Sequence, residues 1–159
     1  MTQIVLPNET NGLDNLAGGV LLNWMDLAAA IAAQRHANRV VVTAGIDEVS
    51  FDSPIALNEV LYIEAKVTRA FTSSMEIQIQ VWAESPVHNK GKRHCNTAYF
   101  TFVAVDQSGR TIPVNPIEPT SEEEKRLYED AAERRRKRLE LRQKPERGAD
   151  VEPRLQHER

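Results

Sequence analysis

The chain has 159 residues, 41% of them apolar and 27% charged, with a formal net charge of −3. That is enough chain for one domain with a core, and a charge balance that argues against nucleic acid as a partner. A single cysteine, Cys95, excludes an intrachain disulfide and fits a reducing compartment. The N-terminal MTQIVLPNET lacks the basic and long apolar regions of a signal peptide. No uncharged apolar run approaches the ~20 residues of a membrane span. The expectation is a cytoplasmic protein with no membrane span.

Charge is unevenly placed. From Pro119 onward lie 12 of the 20 Lys/Arg and 11 of the 23 Asp/Glu residues. This divides the chain into a compact domain over 1–118, a charged C-terminal helix over 119–143 and a disordered tail over 144–159.

In chain order, Ile4 to Leu6 is a short β-branched stretch stopped by Pro7, and 8–17 is a polar loop. Gly18 and Gly19 then open a helix that runs to His36 or Ala37. It is dense in alanine, the best helix former, and apolar on nearly all sides, with Leu22, Met25, Ala29 and Ala33 on one stripe and Leu21, Leu27 and Ile31 on others. Such a helix is buried.

After Arg39 the period changes to two. Residues 40–51, 60–71, 74–84 and 95–106 read as four long strands, most clearly where Met75, Ile77, Ile79 and Val81 alternate with Glu76, Gln78 and Gln80. Thr72 and Ser73 supply one turn, and 88–94 reads as a polar loop. The pattern predicts an α+β fold, one long helix lying in a curled antiparallel sheet.

In the last third, Thr120 or Ser121 followed by Glu123 or Glu124 forms a capping box. The run Arg134 to Arg138 lacks interleaved aromatic residues. It reads as a solvated helix end answering the acidic first turn rather than as a nucleic-acid surface.

The residue that needs explaining is Asp26, in the middle of the apolar helix. Its neighbours at i−4, i−1, i+3 and i+4, namely Leu22, Met25, Ala29 and Ala30, include no cation. Either Asp26 faces solvent beside Asn23, or it is an unpartnered carboxylate suited to act as general base or nucleophile. Gly18 and Gly19 are ordinary helix-entry glycines, but their free N–H groups could also stabilise an oxyanion. Gly18 and Asp26 are about 12 Å apart at ~1.5 Å per residue, too far to share one small reacting group within a chain. Either the substrate is long or the site is shared across a dimer. Asn11, Asp14 and Asn15 read as turn formers.

The four histidines (His36, His88, His94 and His157) and the one cysteine give no metal-ligand spacing. There is no serine elbow, P-loop or dinucleotide glycine pattern.

Taken together, Asn11, Gly18-Gly19, Trp24-Met25-Asp26, Arg35-His36, Val42-Thr43-Ala44, Phe51 with Pro54, Thr72 to Glu76 and Phe100 to Asp106 resemble the hot-dog-fold acyl-coenzyme A thioester hydrolases, in particular the cytosolic acyl-CoA hydrolase type. The resemblance runs over about residues 8–118, and the charged helix after Pro119 is similar to an extension in some members.

It implies a long central helix wrapped by the curled sheet, and a dimer joined edge to edge, usually built into a hexamer as a trimer of dimers. The implied reaction is hydrolysis of acyl-CoA to free CoA and a fatty acid. No cofactor is implied beyond the CoA carried by the substrate. Asp26 would be general base or nucleophile, Asn11 would orient water or the carbonyl, and the Gly18 and Gly19 amides from the other subunit would polarise the thioester oxygen. Thr72, Ser73 and Ser74 would lie near CoA. The chain departs from the pattern at Asp14, where many members have Gly, at Ala17, where they have Phe or His, and at Asn58, where a Gly is usual. Two alternatives stand beside hydrolysis: binding of acyl-CoA without turnover, and an enoyl-CoA hydratase of the same fold, which would want a His near Asp26.

Overall fold

The computed structural model describes residues 1–47, 49–51 and 53–143; the expected tail over 144–159 lies outside the described residues. A short strand β1 (Thr2–Ile4) precedes helix α1 (Gly18–Ala37). Four strands follow, β2 (Val40–Ile46), β3 (Val60–Ala70), β4 (Ser74–Ser85) and β5 (Lys90–Val105), and then helix α2 (Glu122–Gln143). The strands form one antiparallel sheet in the order β1-β3-β4-β5-β2.

The alternation read in the sequence fixes which face is inside. Leu61, Ile63, Ala65 and Val67 of β3 stand opposite Ala83, Val81, Ile79 and Ile77 of β4. Ile79, Ile77 and Met75 stand in turn opposite Ala98, Phe100 and Phe102 of β5. Opposed residues share a face, and this face packs on Leu21, Trp24, Met25, Ala28, Ala29 and Ala33 of α1. Helix α1 ends at Asn38, whose left-handed backbone (φ 50°) lets its N–H bond the carbonyl of Gln34. Within the single chain the sheet covers one side of α1, and Leu27 and Ile31 on another side stay exposed.

Three boundaries differ from the sequence reading. The first strand lies at Thr2–Ile4, because Gln3 and its neighbours pair with Tyr62, Leu61 and Val60 while Pro7 starts a 3-10 turn. Strand β2 stops at Ile46, shortly after a register shift between Thr43 and Gly45. The segment expected as a loop over 88–94 is mostly strand. The chain reverses at Pro86–His88 and Asn89 (φ 50°), and β5 begins at Lys90. The segment is polar yet extended because His94 stands opposite Trp82 on the outer face, while Arg93, opposite Ala83 at the end of the strand, is paired with Glu59.

Helix α2 lies on the outer face of the sheet, against β3 and β4. Its apolar contact is small, essentially Leu127 and Ala131. Polar groups supply the rest. Ser121 Oγ accepts the Glu124 N–H, and Glu124 Oε2 accepts the Thr120 and Ser121 N–H groups, the capping box the sequence predicted. The basic run, however, is not a solvated end. Arg134 holds the fully buried Glu76 of β4, with Nη2 2.7 Å from Oε1. Arg138 bridges Asp47 and Glu76, and Arg135 donates to Ser74. Arg136 and Lys137 follow the expected pattern, pairing along the helix, Arg136 with Glu133 and Glu140 and Lys137 with Glu133.

Candidate active site

Asp26 projects from the middle of α1 and is half-buried. The structure does not leave it unpartnered: Thr43 Oγ1 on β2 donates a 2.8 Å hydrogen bond to Asp26 Oδ1. Thr43 stands opposite the buried Phe102 of β5 and therefore faces α1. Immediately after Thr43 the strand takes an extra residue, Ala44, before Gly45 re-pairs with Thr101. Bulges of this kind re-aim side chains. The sequence reading gave Thr43 no role of its own; the available signal was a lone hydroxyl in an otherwise apolar strand.

The pair sits at the open edge of the sheet. Strand β2 is hydrogen-bonded on one side, to β5, and is last in the strand order. Val40, Val42 and Ile46 on β2 and Leu27 and Ile31 on α1 are all large, apolar and more than 40% exposed. An unpaired, apolar strand edge invites pairing with another chain.

The other half of the predicted site lies at the start of α1. Ala17 caps the helix without a side-chain bond, and its carbonyl accepts the N–H groups of Val20 and Leu21. Among the described residues the N–H groups of Gly18 and Gly19 have no recorded acceptor, and both glycines are exposed. A Cβ at Gly19 would meet nothing, whereas one at Gly18 would lie 3.7 Å from the Phe51 ring. Gly18 and Asp26 are eight positions apart along regular helix, so the structure does not bring them together within one chain.

Asn11 is in the loop leading to that helix end. Its Oδ1 accepts the N–H groups of Leu13 (2.9 Å) and Asn15 (3.3 Å), so the carbonyl half of the side chain does turn duty. Among the described residues its Nδ2 has no recorded acceptor, which leaves a donor on an exposed side chain. Asp14 adopts φ 55° in the same loop, the conformation for which glycine is the usual choice.

The turn residues fare differently from one another. Thr72 is exposed, but Ser74 is buried and its Oγ accepts from Arg135 Nη1 at 2.8 Å. Ser73 and Ser74 line a cavity of about 240 Å³ together with Arg135 and Arg138 of α2. His36 bonds the carbonyl of Asn115 at 2.8 Å, and among the described residues no histidine hydrogen-bonds Asp26. Among the described residues no group of three or more His, Cys, Asp or Glu converges as a metal site would require.

The model of the thioesterase superfamily matches residues 13–88. The chain is 44% identical over 139 residues to acyl-coenzyme A thioesterase 11 of Mus musculus. The match takes in 87% of the chain but 23% of that protein, so the chain spans about a quarter of the length of this relative. Among solved structures it is similar to an apo-hexameric acyl-CoA thioesterase (39% identity, TM-score 0.86), covering 91% of this chain and 92% of that one. It is also similar to the acyl-CoA hydrolase of Staphylococcus aureus in complex with butyryl coenzyme A and coenzyme A (36% identity, TM-score 0.82), over 89% and 86% of the two chains. That hydrolase has also been solved as single alanine variants of an asparagine, an aspartate and a threonine. Their separations along its sequence equal those among Asn11, Asp26 and Thr43. By sequence and by fold this chain belongs to the acyl-CoA thioester hydrolases of the thioesterase superfamily.

Proposed function

We propose that the protein hydrolyses acyl-CoA thioesters to free CoA and a carboxylic acid. The observation that carries this is Asp26, fixed by Thr43 at an open sheet edge and about 12 Å along the helix from unbonded Gly18 and Gly19 amides. Two copies joined antiparallel through β2 would place the carboxylate of each beside the helix entrance of the other. An isologous contact of that kind makes two identical shared sites. The exposed apolar residues of β2 and α1 support such a dimer, and the hexameric relative supports a trimer of dimers.

In this reading the Gly18 and Gly19 N–H groups of one protomer donate hydrogen bonds to the thioester oxygen as negative charge develops on it. Asp26 of its partner takes the proton from an attacking water. The water oxygen bonds to the carbonyl carbon and the C–S bond breaks. The CoA sulfur leaves as thiolate and recovers a proton. The Thr43 hydroxyl orients the carboxylate for this step. The free Nδ2 of Asn11 belongs to the amide half and orients water or the carbonyl. A direct carboxylate attack would use the same geometry and end on the same products.

The reaction calls for no cofactor beyond the CoA of the substrate. Thr72 and Ser73 remain candidates for contact with that CoA, while Ser74 is engaged by Arg135. The lone buried Cys95 fits a cytoplasmic location. The hydratase alternative loses support because His36 is committed to Asn115.

Purified protein is expected to release free thiol from acyl-CoAs of at least one chain length, and Asp26→Ala to abolish release while the oligomer stays intact. Binding of acyl-CoA without thiol release from any chain length would establish the carrier reading instead. An Asp26→Ala variant as active as wild type would rule out this mechanism.

A further inference from the structure

Among the described residues Asn11 has no long-range anchor of its own. Every recorded hydrogen bond of this residue ends on Leu13, Asp14 or Asn15. The loop is closed by the bridge between Thr10 and Leu16. Its place in the molecule is inherited from its far side, where the Leu16 N–H bonds the carbonyl of Ile55 (2.7 Å) and the carbonyl of Asp14 accepts the Leu57 N–H (2.9 Å). The loop therefore rides on residues 54–59.

That segment is irregular, and a part-buried ion pair holds it. Glu59 is 6% exposed. Its carboxylate accepts both Arg93 Nη1 (2.7 Å) and Nη2 (2.8 Å), and Oε2 also accepts the Ala56 N–H (2.9 Å). Arg93 Nη2 donates as well to the carbonyl of Pro54 (2.9 Å). One guanidinium near the start of β5 thus grips both ends of 54–59, through a fork that a single ammonium cannot reproduce.

We propose that Arg93 and Glu59 are positioning residues for the reaction: they hold 54–59 at the height that sets Asn11 against the entrance of α1. This rests on the hydrolase reading above. Neither side chain needs to touch substrate. Their effect passes through the 54–59 backbone to the Asp14 carbonyl and Leu16 N–H, and so to the Asn11 amide.

The test is a double-mutant cycle in the thiol-release assay on the intact oligomer, using wild type, Arg93→Met, Asn11→Ala and the double variant, with Arg93→Lys as the conservative change. Arg93→Met is expected to lower kcat about tenfold or more with KM little changed, and to cost almost nothing further once Asn11 is alanine, because coupled groups are non-additive. Arg93→Lys is expected to fall between wild type and Arg93→Met. Amide exchange at Leu16 and Leu57 is expected to quicken in Arg93→Met. The same fold-loss in both backgrounds, or an unchanged kcat in folded Arg93→Met, overturns the proposal. If Arg93→Met does not fold, the cycle run with Arg93→Lys decides in the same way. A wild-type protein that releases no thiol overturns the hydrolase reading itself, a different outcome from a competent wild type indifferent to Arg93.

Discussion

Thr43 donates its hydroxyl to the Asp26 carboxylate at 2.8 Å, joining the edge strand of the sheet to the middle of the central helix. The bond fixes one carboxylate oxygen and leaves the rest of the group facing the open edge. A carboxylate meant to take a proton from water needs a fixed direction, and a hydroxyl partner directs it without neutralising it.

Thr43→Val keeps the shape and removes the donor. Hydrogen bonds to charged groups are worth about 1.5–3 kcal/mol, so kcat is expected to fall by about 10- to 150-fold if that stabilisation is realised in the transition state. Thr43→Ser should recover most of the loss. Steady-state thiol release across a substrate panel checks both, and equal activity of Thr43→Val and wild type would show that the bond is structural only.

The shared site can be tested by mixing two variants, the inactive Asp26→Ala and the slowed Asn11→Ala. Asp26→Ala and Asn11→Ala remove opposite halves of the site. In an isologous dimer a hybrid of the two carries one doubly damaged site and one intact site. Random reassortment is therefore expected to restore about a quarter of wild-type activity. Mixed and refolded samples no more active than the Asn11→Ala parent would place both halves in one chain.

Dissociation should also abolish activity. Val42 is 46% exposed and Ile31 is 46% exposed. Val42→Lys with Ile31→Glu puts charges on the open edge and helix face, a device natural sheets use to block edge pairing. The expected outcome is a smaller particle by light scattering with no thiol release. A monomer with full activity would contradict the shared site.

Helix α2 is expected to depend on Glu76. This carboxylate is fully buried and forked by Arg134, which is 22% exposed at its side chain. Removing one partner of a buried pair costs about 3–5 kcal/mol because the other charge is left uncompensated. Arg138 also reaches Glu76 at 3.3 Å, so Arg134→Met should fall at the low end of that range. Urea denaturation at fixed protein concentration measures it.

The cap of α2 carries a pH dependence of definite sign. Bonds from Lys66 and then from Thr120 and Ser121 hold the Glu124 carboxyl down at about 2, against an ordinary 4.5. A depressed folded pKa means the contribution is complete above the ordinary value and is lost as pH falls through the folded one. The stability advantage of wild type over Glu124→Gln should therefore be constant above about pH 5 and shrink toward pH 2. An advantage that grows on acidification would reverse this assignment.

Much of the fold was legible because its signals are local. Alanine density and the apolar stripe marked α1, and period-two alternation marked the four long strands and their inner face. Asp26 stood out because no cation lay within a turn of it. Strand ends were less legible. Lys92, Arg93 and His94 read as loop residues by their polarity, yet they occupy β5, because a one-sided sheet accepts charge on its outer face and at its ends.

The partners of charged and polar groups were not legible at all. Thr43 is separated from Asp26 by the second half of α1, a turn and the start of β2, 17 positions in all. Arg134 and Arg138 looked solvated because Glu76 is 58 and 62 positions away. The grip of Arg93 on 54–59 is equally non-local.

The sequence by itself determined the helix, the alternating strands and the capping box of α2, because these follow from spacings of two to four residues along one element. Only the tertiary structure decided that Asp26 is held by Thr43, that the basic run docks on a buried glutamate and that the Asn11 loop rides on 54–59. Those choices depend on strand register and helix docking, which bring distant residues to within a hydrogen bond.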